Sequence, residues 1–197
     1  MVRRQEIPLF PLNAVLFPGS TLGLRIFELR YIDMVRECAR NEGMFGVCLI
    51  MGGQEAGEPA LPAAIGTLAR IVDFDILPDG LLGISVTGGT RFRVQKTRIR
   101  SNGLVIGEVR RWPNEPAVPV PAEFSLLPTI LERLAEQAGL TWRNGPRERY
   151  DDASWVGFRL AELLPLGDAE RQHLLEVTDP LERLAALRDA MPRFQKP

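Results

Sequence analysis

Lysine, histidine and cysteine are nearly missing from this 197-residue chain, and each shortage removes a class of chemistry. Of 24 basic residues only Lys96 and Lys196 are lysines; the other 22 are arginines. A phosphate-binding loop of the Walker type needs Gly-Lys-Ser/Thr after a glycine turn, and no Gly-Lys pair occurs. ATP hydrolysis of that kind is excluded. A Ser–Lys dyad needs a lysine desolvated enough to act as a base. Lys196 falls in the C-terminal tail, and Lys96 follows Gln95 in a segment rich in charge. His173 is the one histidine. It falls inside a predicted helix beside leucines, which suits a helix-surface residue better than a ligand or general base. With no second histidine and no Cys-x-x-Cys, a hydrolytic zinc site lacks its ligands. A Ser-His-Asp triad would have to use this same His173, and no Gly-x-Ser-x-Gly elbow is present.

Cys38 and Cys48 are too few for a disulfide framework. Both fall in apolar segments, where thiols are small buried groups and usually inert. No run of 18 apolar residues exists, so no transmembrane helix is expected. The apolar N-terminal stretch is broken by Pro8, Pro11 and Pro18, a poor signal-peptide core. The net charge of −1 gives no global pull toward nucleic acid or membrane. These absences point to a cytoplasmic, bacterial-type protein with no cofactor and no metal.

What is present is ordinary material for a core: 45% hydrophobic and 25% charged residues, enough to fold without disulfides. Up to about residue 117 the patterns are mostly those of strands. Leu22, Leu24 and Ile26 alternate with Gly23 and Arg25, after a Phe17-Pro18-Gly19 turn. Between Phe27 and Asn41 the period changes. Phe27, Tyr31, Met34, Val35 and Cys38 recur at threes and fours, which predicts an amphipathic helix ended by Gly43. Phe45–Met51 reads as a buried strand, and residues 52–64 as a mobile Gly/Pro/Ala loop. Gly66–Leu77 and Leu81–Thr87 form a hairpin about Asp79-Gly80. Val72, Phe74 and Ile76 share one of its faces, and Asp73 and Asp75 the other. Asp73, Asp75 and Asp79 have the oxygens for a hard cation, but a solvated strand face and a turn account for them more simply. Phe92–Val94 and Leu104–Val109 add two strands. About six strands with one inserted helix imply a small, partly closed barrel.

Four prolines in residues 113–122 mark a stiff, extended boundary. The expected division is a β-rich unit over residues 1–117 and a helical bundle over residues 118–197. In the second, Phe124, Leu127, Leu131, Leu134 and Ala138 form a helical stripe stopped at Gly139. A polar loop covers residues 143–152. Trp155, Phe158, Leu160, Leu163 and Leu164 supply the next apolar face. Asp168 is a candidate cap for a third helix. Asp179, Pro180 and Glu182 mark the start of a fourth.

One charge cluster stands out. Between residues 88 and 112 lie Arg91, Arg93, Lys96, Arg98, Arg100, Arg110 and Arg111, with Glu108 the only acid. Simple alternation puts Arg91 and Arg93 on one strand face and Lys96 and Arg98 on the other. A solvated sheet edge explains the cluster, since positive charge there discourages aggregation. The alternative is an anion- or RNA-binding face using Arg91, Arg93, Arg98, Arg110 and Arg111. Aromatic interleaving for base stacking is thin, limited to Phe92 and Trp112.

Six ordered segments are Ile7-Pro-Leu-Phe-Pro-Leu-Asn-Ala-Val-Leu-Phe-Pro-Gly19, Leu24-Arg-Ile-Phe-Glu-Leu-Arg-Tyr31, Phe45-Gly-Val-Cys-Leu-Ile50, Ile65-Gly-Thr-Leu-Ala-Arg70, Leu77-Pro-Asp-Gly80 and Gly89-Thr-Arg-Phe-Arg-Val94. Together they resemble the N-terminal domain family of Lon proteases. Leu163-Leu-Pro-Leu166 and Glu182-Arg-Leu184 fit the helical end. The resemblance implies an α+β protein: a PUA-like β pseudo-barrel with one inserted helix, then a C-terminal α-helical bundle. It also implies recognition of unfolded or specific protein clients, without the ATPase and Ser–Lys protease domains that follow in full Lon proteases. The expectation is therefore a recognition module that is not itself an enzyme, working with a protease supplied in trans. Its binding surface would be an exposed apolar groove near residues 52–64 or between the halves. Among the motif residues, Pro11, Pro18 and Gly19 shape turns, Phe10, Phe17 and Phe27 are core, and Glu28 and Arg30 pair locally.

Overall fold

Strand β1 (Arg4–Leu12) forms despite Pro8 and Pro11, a strand that sequence pattern alone does not predict. Its first part, Arg4–Pro8, pairs antiparallel with β6 (Val105–Arg111), and Leu9–Leu12 pairs parallel with β3 (Phe45–Gly52). Each proline thus lies where one strand edge is paired, so its missing N–H can face the other side. This is a computed structural model, and it describes residues 4–194. Lys196 lies outside the described residues.

The remaining strands are β2 (Thr21–Ile26), β4 (Leu61–Ile76) and β5 (Leu82–Ile99). Sheet order is β2-β5-β4-β3-β1-β6, with β5 also paired to β6. β5 is one 18-residue strand where sequence pattern predicts two. Gly88 and Gly89 break the apolar alternation there, but the ladder continues through them. A β-carbon on Gly88 would meet the Phe17 carbonyl oxygen at 2.2 Å. Glycine is required because the Phe17-Pro18-Gly19 turn lies directly against the strand. Gly19 takes φ 76° and donates to the Gly88 carbonyl at 2.8 Å.

Helix α1 (Leu29–Arg40) buries Tyr31, Met34, Val35 and Cys38 against the sheet. Phe27 is not core: it precedes the helix and is 53% exposed. Ile26, at the end of β2, is the buried neighbour, because the strand's period governs up to that point. The helix ends differently from expectation as well. Glu42, not Gly43, takes positive φ (49°), while Gly43 donates to the Cys38 carbonyl at 2.8 Å. Residues 53–60 form the loop, four residues shorter than expected at its far end because β4 begins at Leu61. Two carboxylates tether it: Glu55 accepts from the Asn13 amide, and Glu28 from the Gly57 amide.

The chain divides into two compact units, Met1–Asn114 and Glu115–Pro197. The proline-rich segment belongs largely to the second. It pairs there through Pro119–Asp152, with Val120 N donating to Asp151 O and Ala153 N to Val118 O, each at 2.8 Å. The helices are α2 (Leu126–Gln137), α3 (Ala153–Leu163), α4 (Asp168–Glu176) and α5 (Pro180–Ala190). α3 packs against the other three. Its Ala153, Val156, Gly157, Phe158, Leu160 and Ala161 are all buried, as a central helix requires. On α2 the buried face runs through Leu127, Leu131 and Ala135, while Ala138 is exposed beyond the helix end. The expected polar loop contains two short 3-10 turns, and Asp152 caps α3 by accepting from the Ser154 amide at 2.9 Å. Gly167, not Asp168, caps α4; the Glu170 carboxylate accepts from its amide at 3.1 Å. Asp179 caps α5 as expected, with Pro180 at the first helical position.

Candidate functional site

The arginine cluster of β5 and β6 is sorted by a bulge. Arg93 lies opposite Arg110, Lys96 opposite Glu108 and Arg98 opposite Ile106, with a register shift between Val94 and Lys96. Residues 106, 108 and 110 alternate onto one face of β6, so the bulge returns Arg93, Lys96 and Arg98 to a single face. Simple alternation splits them because it carries no bulge.

The five candidate arginines have different surroundings. Arg91 is 5% exposed and stacks over the Trp112 ring at 5.0 Å. Arg98 pairs with Glu6 at 2.7 Å, and its guanidinium holds the Glu6 carboxyl below its usual range. Arg111 donates to Gln5 Oε1 at 2.8 Å. Arg93 and Arg110 are exposed cross-strand neighbours. An open cleft of about 830 Å³ is lined by Arg93, Val94, Gln95, Arg110, Arg111, Trp112 and Pro113. Three of the five arginines line it, while Arg91 lies buried against the Trp112 ring and Arg98 pairs with Glu6.

The other chemically suggestive groups are structurally occupied. Asp73 and Asp75 each accept from the next residue's amide at 2.8 Å, and Asp79 accepts from Leu81 N and pairs with Arg25 at 2.5 Å. Among the described residues no group of three or more His, Cys, Asp or Glu could hold a metal ion. His173 is exposed on α4, beside a hollow of about 330 Å³ lined mainly by Leu166, Leu174, Leu187 and Ala190. No helix among the described residues is long and apolar enough to cross a membrane. Glu28 and Arg30 pair at 2.9 Å, with Arg30 only 6% exposed.

Burial pushes the Cys48 thiol up to about 12, and burial followed by the nearby Glu37 charge raises Cys38. The thiolate is the nucleophile. Native protein at pH 8 should therefore react with a chromogenic disulfide at neither cysteine, and at both once denatured. One rapid equivalent in the native state would contradict this.

Apolar side chains reach the surface of the first unit at Phe27, Leu29 and Ile99 and in two groups. Met51 and Leu61, more than 60% exposed, flank the 53–60 loop, within the region where sequence reading expects a groove. Val72, Phe74 and Ile76 of the β4–β5 hairpin are 49%, 50% and 78% exposed, although their spacing reads as a core face. Only tertiary structure reveals this, because the hairpin extends past the elements that would cover it.

Similarity to known proteins follows the same architecture. The model of the ATP-dependent protease La (LON) substrate-binding domain matches residues 6–193. A crystal structure of a Lon N-terminal domain protein from Xanthomonas campestris is 46% identical, with a TM-score of 0.79 over 94% of this chain and 98% of that one. The N-terminal domain of a Mycobacterium avium complex Lon protease shares the fold, with a TM-score of 0.70 over 97% of this chain and 100% of that one, at 17% identity. The Lon protease of Xanthomonas oryzae is 27% identical over 92% of this chain. This chain spans 22% of that relative's length, and 43% of a LON peptidase N-terminal domain and RING finger protein of Schizosaccharomyces pombe that it matches at 21% identity. With a match across nearly all of its residues and a fold shared with solved members, the chain belongs to the Lon substrate-binding domain family.

Proposed function

We propose that the chain is a protein-recognition module that binds unfolded or specific polypeptide clients and presents them to a protease acting in trans, in a cytoplasmic setting. The observation that carries this reading is the family match over residues 6–193, to a domain described by its substrate binding. Large apolar side chains exposed on the first unit, among them Met51, Leu61, Phe74 and Ile76, supply the kind of surface that non-native protein recognises. The pairing of β5 with β4, β2 and β6 supports a PUA-like pseudo-barrel, and the packing of α3 against its three neighbours supports a helical bundle. The reading is non-enzymatic: the chemistry-bearing residues described above are buried, paired or single.

The arginine-lined cleft favours a second reading, an anion- or RNA-binding face centred on Arg93, Arg110 and Arg111. Phosphate contacts of this kind release counterions and weaken steeply with salt. Capture from lysate, with and without nuclease, separates the two. Client recovery that survives nuclease and 0.3 M salt is the expected result. Recovery of nucleic acid alone, lost at that salt and in an Arg93→Ala/Arg110→Ala variant, would replace the first reading with the second.

A further inference from the structure

β4 outruns one of its two neighbours. β3 pairs with it only as far as Ala69. From Ile71 to Ile76 its one partner among the described residues is β5. The outer edge of this segment is therefore open, and an open edge is a template for another strand.

The direction of its amides can be read from the hairpin end. Leu77 N donates to Leu81 O at 2.9 Å, toward β5. Antiparallel alternation then turns the amides of Asp75 and Asp73 toward β5 and those of Phe74 and Ile76 outward. The two outward amides are held by their own strand: Phe74 N donates to Asp73 Oδ1 and Ile76 N to Asp75 Oδ1, both at 2.8 Å.

The two faces of this edge differ in chemistry. A bulge between Ile71 and Asp73 sets Phe74 opposite Ile84 and Ile76 opposite Leu82. Phe74 and Ile76 thus continue the face that buries Ile84, but themselves stay 50% and 78% exposed. Asp73 and Asp75 occupy the other face. Arg25, on β2, pairs with Asp79, and no ion pair reaches Asp73 or Asp75 among the described residues.

We propose that Ile71–Ile76 receives an extended client segment as an added strand, one in which apolar and basic residues alternate. The proposal rests on the protein-recognition reading above and gives it a site. Client carbonyls would take over the Phe74 and Ile76 amides. The released Asp73 and Asp75 carboxylates would then meet basic side chains on their face, while client apolar residues extend the Phe74–Ile76 face. A second copy of this chain is a poor occupant, because edge-to-edge pairing would oppose the carboxylates of one copy to those of the other.

The test is fluorescence anisotropy with the full chain and labelled alternating valine–lysine and valine–glutamate peptides, plus a reduced, carboxymethylated unfolded protein. The expected result is at least tenfold tighter binding of the lysine peptide, a preference abolished in Asp73→Asn/Asp75→Asn. Ile76→Pro deletes one outward amide without touching the β5 ladder and should cost about tenfold or more. Ile76→Thr keeps that amide and should cost less. Thermal melts of all variants close to that of the parent chain establish that folding is intact. Equal binding of the two peptides, or unchanged binding by Ile76→Pro, overturns the proposal. If the unfolded protein still binds parent and Ile76→Pro alike, the recognition reading stands and this edge is not its site. If it binds neither, both readings fall.

Discussion

Replacing Arg183 with alanine is expected to destabilise the C-terminal unit by about 3–5 kcal/mol, the cost of breaking a buried ion pair from one side. The Arg183 side chain has no exposure, and that of its partner Glu115 is 5% exposed. The guanidinium donates to both Glu115 oxygens at 2.6 and 2.9 Å, and to the carbonyls of Leu174 at 3.0 Å and Val177 at 2.5 Å. It also lies over the Phe158 ring, 3.9 Å from the centroid. The Ser154 hydroxyl donates to the same carboxylate. One side chain thus joins the segment before α2, the α4–α5 connection and the centre of α3. Alanine would take from the buried Glu115 carboxylate the charge and both hydrogen bonds of the guanidinium, and two carbonyls would lose a donor. Lysine would not restore the pair, because one ammonium cannot reproduce the planar fork. Urea denaturation followed by circular dichroism measures the loss. Arg183→Met/Glu115→Gln should recover part of it, since no buried charge is then stranded. A double variant no more stable than Arg183→Ala would assign the effect to packing instead.

Phe92→Ala should produce a loss of similar size in the first unit, about 3–5 kcal/mol. Phe92 is fully buried in a cluster with Ile7, Leu9, Cys48, Leu68 and Val109. Two glycines make room for its ring: a β-carbon on Gly46 would lie 2.4 Å from Phe92 Cζ, and one on Gly66 at 2.8 Å. Truncation therefore opens a void bounded by backbone on β3 and β4, which the sheet cannot close without losing its ladder. The reverse change fails for the complementary reason. Gly66→Ala would place a β-carbon 2.4 Å from the Val47 carbonyl oxygen, a backbone atom that no rotamer change can move. Overpacking typically costs about 1–3 kcal/mol. Denaturation curves of both variants check the pair. A midpoint unchanged in Phe92→Ala would contradict the packing argument, and a tolerated alanine at Gly66 would contradict the close approach.

Much of the fold was legible because local rules happened to agree with the tertiary ones. α1 announced itself by period, α5 by Asp179-Pro180, and the β4–β5 hairpin by Asp79-Gly80, where Gly80 takes φ 82°. β1 was illegible because its two prolines argue against a strand until one knows which edge is paired. Phe27 was misplaced because strand and helix periods meet at that residue, and only the bend between them decides which governs.

The candidate surfaces divide in the same way. Arginine richness between residues 88 and 112 is plain in the sequence. Which arginines share a cleft is not, since Arg91 is consumed by Trp112, Arg98 by Glu6, and a bulge resets the faces. By itself the sequence determined what this protein lacks: lysine, histidine and cysteine in the arrangements that phosphate-loop, dyad, triad and zinc chemistry require. Residue types and short spacings are local properties, so their absence can be read directly. The tertiary structure alone decided what is left uncovered. Phe74 and Ile76 have the spacing of core residues but stay exposed, because burial depends on which distant element arrives to cover a face. On the outer side of β4 beyond Ala69, none among the described residues pairs.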